Sequence, residues 1–361
     1  MSYKAQLEGW VHQQWSSRGL FAWALSPLSL LYMALAKSQQ KKAHAKSLPV
    51  PVVVVGNIYV GGTGKTPVTM ALVRALAHAG FRPGIISRGF GRHSDTPQLV
   101  TPTSLAKDVG DEPLLICQQT GVPVAVGSNR WAAGMLLLQN HPEVDVILSD
   151  DGLQHRALAR DVEIAVVGAR GLGNGWVLPA GPLREGPSRL DQVDAVVLNT
   201  QDETIVSTRT PRYVASSCFG LCHQLATDQR ETIDALAQRI QNEKLKVMAA
   251  AGIASPGRFF AMVRAHDIDC VEKPLGDHFD FATNPFKDVD ADLIFITAKD
   301  AVKCVAHPEL KNDPRLWVVE LEVELDPYLI EMIVSRVKDA QKEKGRPLTP
   351  TSAPLTEQPT A

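Results

Sequence analysis

The stretch VVVVGNIYVGGTGKTP, from Val52 to Pro67, constrains the fold more than any other part of the chain. Val52 to Val55 are four consecutive β-branched residues, too apolar for a half-exposed strand, and they fit a central parallel strand covered on both faces. Glycines at 61, 62 and 64 then let the backbone wrap closely around an anion. A helix from about Pro67 to Ala79 would aim its N-terminal amides and its dipole at that anion, with Gly80 as its stop. Strand, glycine-rich turn and helix read as a phosphate-binding loop. Gly61, Gly62, Thr63, Gly64, Lys65 and Thr66 form the cradle, with Lys65 as a point charge for the β- and γ-phosphates and the Thr66 hydroxyl as a magnesium ligand. One position departs from the common G-x-x-x-x-G-K-[ST] pattern: counting back five places from Gly64 gives Tyr59, where that pattern has glycine.

The alternation repeats after this unit. Apolar runs at Gly84 to Ser87, Val122 to Val126, Val144 to Leu148, Ile164 to Val167 and Ala195 to Leu198, with helical patterns between several of them, predict a parallel α/β sheet. From Thr200 to about Cys222 the pattern turns irregular and polar, and reads as a connection. A second alternation follows, with LKVMAAAGI, ADLIFIT and RLWVVEL as strands and Pro327 to Lys344 as a long helix. A chain of 361 residues has room for two such cores. The expected architecture is therefore a P-loop NTPase-like parallel-sheet domain over 47–200, a connection over 201–225 and a second, smaller α/β domain over 226–344. The segment 345–361, rich in Pro and Thr, reads as a disordered tail.

Residues 1–46 carry a different signal. GLFAWALSPLSLLYMALA is 18 residues without a charge, a helix of about 27 Å, which is marginal for spanning a bilayer. Pro27 sits in its middle, so a kinked or shallowly embedded helix competes with a straight span, and a buried core helix is the bland alternative. A cleaved signal peptide is rejected because the polar lead-in is long and a nucleotide site follows. Lys37, Lys41, Lys42 and Lys46 come next and favour the cytoplasmic side of an anionic membrane. A net charge of -2 lacks the basic excess that nucleic-acid binding needs. The scattered Cys117, Cys218, Cys222, Cys270 and Cys304 form no zinc pattern and suggest buried thiols in a reducing compartment.

VDVILSDD delivers Asp150 and Asp151 to the end of an apolar strand, the edge where ligands gather in parallel sheets. Beside the loop they are candidates for magnesium; alone, either is as well explained as a helix cap. Asp111 in GDEP suits an N-cap, or a base that takes the proton of an attacking hydroxyl, and spacing does not choose between the two. His278 in GDHFDF, His155 in DDGLQH and Arg88 in SRGFGR are loop residues whose plain reading is exposure to solvent, with a phosphate clamp as the alternative for Arg88. GLGNG fails the dinucleotide spacing.

The loop itself resembles the deviant form K-G-G-x-G-K-[ST], with Val60 where the signature lysine would stand. Together, VGNIYVGGTGKTP, SRGFGR, GDEP, DDGLQH, GNGWVLPAGPLREGPSRL and GDHFDF resemble, in order, the tetraacyldisaccharide 4'-kinase family, the lipid A 4'-kinases. The resemblance implies ATP- and magnesium-dependent phosphorylation of an acylated disaccharide lipid at the cytoplasmic face of a bacterial inner membrane, with no protein partner inferable. It implies Lys65 and Thr66 in the phosphate and metal roles, and Glu112, Asp150 and Asp151 around the metal. Asp111 becomes the general base, paired with His278 across a cleft. Asn57, Arg88, Gln154 and His155 are further candidates for gripping substrate or phosphate. The rival is a deviant-loop GTPase or ATPase acting as a metallochaperone or targeting switch. NTQD, Asn199 to Asp202, nearly matches the guanine-selecting N-K-x-D, but has Thr200 for the lysine.

Overall fold

The computed structural model describes residues 9–345 apart from His12, Ala43, His93 and Gln201; the expected disorder of the tail beyond Gly345 lies outside the described residues. After helix α1 (Leu20–Lys42) come β1 (Val52–Gly56), α2 (Lys65–His78), β2 (Pro83–Ser87), β3 (Gln98–Val100), α3 (Asp111–Thr120) and β4 (Val124–Val126). Then follow α4 (Arg130–Asn140), β5 (Val146–Asp150), β6 (Val162–Gly168) and β7 (Ala195–Asn199). The principal elements after these are β8 (Arg212–Gln224), β9 (Arg230–Thr232), α5 (Ile233–Glu243), β10 (Val247–Ala251), α6 (Pro256–Arg264), β11 (Val271–Pro274), β12 (Leu293–Thr297), α7 (Ala298–Cys304), β13 (Leu316–Leu325) and α8 (Pro327–Glu343).

The strands join into one sheet of order β11-β10-β12-β13-β8-β7-β6-β1-β5-β2-β4-β3, with β9 beside β8. β1 lies between β5 and β6, parallel to both, and every one of its residues is buried. Its alternation explains why: Val53 and Val55 enter the core on one face of the sheet, Val52 and Val54 the core on the other. Register places Val55 opposite Asp150, so the glycine turn after β1 and the carboxylates after β5 emerge at the same edge.

The stretch read as an irregular connection contains β8, a strand of 13 residues. Its first residues pair with β7 in parallel and the rest pair with β13 antiparallel, so a single strand belongs to both half-sheets. RYVASSCFGLCHQ is mostly half-exposed, with only Ala215 and Cys222 buried, which is why it lacks the two-residue apolar period that marks a strand. Edge strand β3, antiparallel to β4, was equally silent for want of length.

Helix α1 runs through Pro27. A proline cannot donate to the carbonyl four residues back, that of Trp23; the Ser26 hydroxyl donates to it instead, at 2.9 Å. Polar side chains moor the helix to the loop before β7. The Ser29 hydroxyl donates to the Val177 carbonyl at 2.9 Å, Tyr32 to that of Arg184 at 3.1 Å, and Trp15, just ahead of the helix, to that of Pro179 at 3.0 Å. The other side leaves Leu20, Trp23, Leu28, Leu30, Leu31 and Leu35 exposed. Leu20–Ser38 is long and apolar enough to cross a membrane, yet only 11% of it is buried, so this is no core helix.

Candidate active site

Helix α2 starts at Lys65, and Pro67 falls in its first turn, where a backbone N–H has no intrahelical partner to lose. Gly64 carries φ 82, and a Cβ there would sit 1.9 Å from Asn199 Nδ2, so both backbone and space demand glycine. Two asparagines shape the turn from within. Asn57, fully buried, donates to the Tyr59 and Gly61 carbonyls and to the Thr63 hydroxyl at 2.7, 3.3 and 3.0 Å. Asn199, from the near-miss guanine motif, donates to the Thr63 carbonyl at 3.1 Å. Its own side-chain oxygen accepts from Arg258 at 2.9 Å and Ser217 at 3.1 Å, on α6 and β8. The Tyr59, Gly61 and Thr63 carbonyls are thus all engaged from within the fold.

Lys65 Nζ lies 3.8 Å from Asp151 Oδ1. Asp151 accepts a forked hydrogen bond from Arg184 Nη1, 3.1 Å to each oxygen. Burial alone would raise its carboxyl, but Lys65 and Arg184 outweigh that and hold it below the ordinary carboxylate value. Asp150 differs. It is fully buried; Thr69 donates to its Oδ1 at 2.9 Å, while Oδ2 has no hydrogen-bond partner among the described residues. Burial and the nearby Glu112 charge push it up to about 7, against the pull of Lys65. A buried carboxylate with an idle oxygen suits a cation brought in with a ligand. Among the described residues no three acid, histidine or cysteine side chains converge as a metal cage.

Asp111 corrects the capping reading by one position. Gly110, φ 93, is the N-cap, and Asp111 is the first residue of α3. Gly110 is needed because a Cβ would sit 3.1 Å from the Gly89 Cα, where the SRGFGR loop crosses. Asp111 Oδ1 accepts from the Glu112 amide at 2.9 Å, which leaves Oδ2 to accept from His278 Nδ1 at 2.8 Å. His278 is exposed, as the plain reading of a loop histidine has it, with 39% of its side chain accessible, yet it is tied to Asp111; Phe90 of the crossing loop lies against its ring, centroids 5.7 Å apart. Lys299, on α7, reaches Glu112 at 3.3 Å, Asp277 at 3.6 Å and Asp111 at 4.0 Å. Burial tends to raise Asp111, but the His278 hydrogen bond and the Lys299 and Lys303 charges together hold it below the ordinary value. His278 is raised, mainly by that same hydrogen bond.

The chain is related to known proteins over most of its length. The family described as Tetraacyldisaccharide-1-P 4'-kinase matches residues 21–338. This chain belongs to that family. The tetraacyldisaccharide 4'-kinase of Janthinobacterium sp. (strain Marseille) is 48% identical over 342 residues, 93% of this chain and 97% of that one. That of Herminiimonas arsenicoxydans is 46% identical, with the same shares covered. Among solved structures, LpxK from Aquifex aeolicus in complex with ATP is 27% identical, with a TM-score of 0.73 over 88% of this chain and all of that one. The P-loop-like α/β fold expected from the sequence is therefore the fold of this kinase family.

In this family member, the remaining sequence candidates divide. Gln154 donates to the Asn57 carbonyl at 3.0 Å and to Glu185 at 2.9 Å, tying the loop's base to the segment that carries Arg184. His155 is pushed down to about 4 by burial and by Arg130, Arg160 and Arg88, so it is neutral near pH 7. Arg88 is exposed. Asn57, with its amide donors engaged inside the loop, sits beneath the cradle rather than at its mouth. Sequence reasoning missed Thr69, Phe90, Arg184, Asn199 as a prop, Arg258 and Lys299. Nothing local to Lys299 marks a lysine that will meet carboxylates nearly two hundred residues away.

Proposed function

We propose that this kinase transfers the γ-phosphoryl group of ATP to the 4'-hydroxyl of a tetraacyldisaccharide 1-phosphate, a step of lipid A biosynthesis, at the cytoplasmic face of a bacterial inner membrane. One observation carries the reading: the phosphate loop and a paired acid and imidazole share one electrostatic site. Helix α2, which starts at Lys65, packs against helix α3, which starts at Asp111, the partner of His278. The names of the relatives and the ATP complex of the Aquifex protein support the same substrates.

The loop amides and Lys65 hold the outer phosphates, and Asp151 and Arg184 fix where the ammonium sits. Asp111 Oδ2 takes the proton of the attacking hydroxyl. His278 orients that carboxylate, and Lys299 keeps Asp111 and Glu112 close without mutual repulsion. Asp150, Thr66 and Glu112 would hold magnesium, and the idle buried Oδ2 of Asp150 fits that use. When bound, the ion neutralises charge on the transferring phosphoryl group. The nucleotide lies on the unit over 47–200, while His278 and Lys299 come from the unit over 226–344, so bringing the two together also excludes competing water. The exposed apolar side of α1 brings the enzyme to an acceptor that stays in the bilayer.

The test incubates detergent-solubilised protein with labelled ATP, magnesium and the acylated disaccharide 1-phosphate, alongside GTP and a Lys65→Ala variant. Label on the 4'-position from ATP, absent with Lys65→Ala, is the expected result. Failure of the wild type to bind Mg-ATP, or a preference for GTP, overturns it.

A further inference from the structure

The residue at the deviant loop position has a neighbour that the mechanism above does not use. Tyr59 is buried, bridges antiparallel to Leu183, and turns its ring toward Arg170, whose guanidinium carbon lies 5.1 Å from the ring centroid. Arg170 follows β6, the strand beside β1, and its Nη2 donates to the Gly62 carbonyl at 3.2 Å. A Cβ built on Gly61 would lie 3.6 Å from the same nitrogen. The guanidinium therefore rests on the rim of the phosphate loop, at Gly61 and Gly62.

Three features set it apart. It is exposed at the mouth, whereas Arg184, Arg156 and Arg189 are each ion-paired with a carboxylate. No carboxylate pairs with Arg170 among the described residues, so its charge is not neutralised locally. It also has a platform: a guanidinium over an aromatic face keeps its planar fork presented, with donors left over beyond the one given to Gly62. An uncompensated arginine held at the lip of a polyanion site is suited to the polyanion itself.

We infer that Arg170 is a phosphate-binding residue for the nucleotide, and that Tyr59 replaces the usual glycine in order to seat it. The loop thus grips a triphosphate with two cations, Lys65 from within and Arg170 from the rim. This rests on the nucleotide reading above and adds a residue pair to it.

The test titrates full-length protein in detergent with Mg-ATP, Mg-ADP and AMP by calorimetry, for the wild type and for Arg170→Ala, Arg170→Lys, Tyr59→Phe, Tyr59→Leu and the Tyr59→Leu/Arg170→Ala double variant. Arg170→Ala should weaken Mg-ATP roughly tenfold or more and AMP far less, since a charge-assisted contact to the outer phosphates is lost. Arg170→Lys should fall between, and Tyr59→Phe, which keeps the ring, should stay closer to the wild type than Tyr59→Leu. The double variant should be no weaker than Arg170→Ala alone. Wild-type affinity and turnover in Arg170→Ala would overturn the inference and leave Arg170 a surface arginine. Additive losses in the double variant would overturn the seating role of Tyr59. A wild type that binds no Mg-ATP at all would bring down the nucleotide reading as well, a pattern distinct from either.

Discussion

His278 Nδ1 lies 2.8 Å from Asp111 Oδ2 although 167 residues separate the two in the chain. The contact joins a loop of the second half-sheet to the first residue of a helix in the first, and both groups shift toward their charged forms because of it. If Asp111 receives the hydroxyl proton, Asp111→Asn should lower kcat by about 10²–10⁴ while the Mg-ATP dissociation constant moves little. His278→Ala should cost less, and the double variant should cost no more than Asp111→Asn. Equal losses in kcat and ATP affinity would mark Asp111 as a structural helix-start residue.

Gly64→Ala tests the loop's close approach. A methyl group there meets Asn199 Nδ2 at 1.9 Å and the backbone sits at φ 82, so Asn199 must leave the Thr63 carbonyl. Mg-ATP binding should weaken by more than tenfold, about 1.4 kcal/mol or greater, while circular dichroism stays close to that of the wild type. Unchanged binding would show that the loop tolerates a displaced prop.

Asp150 sits at about 7 without a cation, so at pH 7 a good fraction carries a proton. A cation favours the carboxylate, and the proton must go to solvent. Calorimetry of Mg-ATP binding at pH 7 in buffers of different ionisation enthalpy should report release of up to about half a proton, absent in Asp150→Asn. Proton uptake instead would place the metal elsewhere.

The Asp111–His278 pair also sets a stability window. His278 is raised above 6.5, so its contribution is complete below 6.5 and fades as pH rises through the raised value. Asp111 is lowered below 3.8, so its contribution is complete above 3.8 and fades as pH falls through the lowered value. The Tm difference between wild type and His278→Ala should be largest between those two pH values and shrink in alkali. A difference that grows above pH 8 would contradict an ionised pair.

Local patterns made the first half-sheet legible: continuous apolar strands such as Val52 to Val55, a glycine turn and a helix stop each follow from a few neighbouring residues. β8 was not legible, because a strand half-exposed on both faces has no apolar period. The proposed site divides along the same line. Gly61 to Thr66 and the paired aspartates announce themselves by spacing. Lys299, Arg184, Asn199 and Arg170 act through tertiary contacts, and only folding brings each to its partner. Asp111 was placed one residue off because Gly110 has no capping side chain, so the turn that ends at the helix is set by its φ and by the crossing loop.

The moorings of α1 bear on anyone wishing to re-engineer this enzyme. Ser29 and Tyr32 reach backbone carbonyls at Val177 and Arg184, and Arg184 in turn holds Asp151 beside Lys65. Replacing the helix with a generic lipid anchor would remove the fastening of the loop that carries Arg184. A water-soluble version would do better to exchange only the outward leucines and Trp23 for polar residues, keeping every side chain that faces the loop.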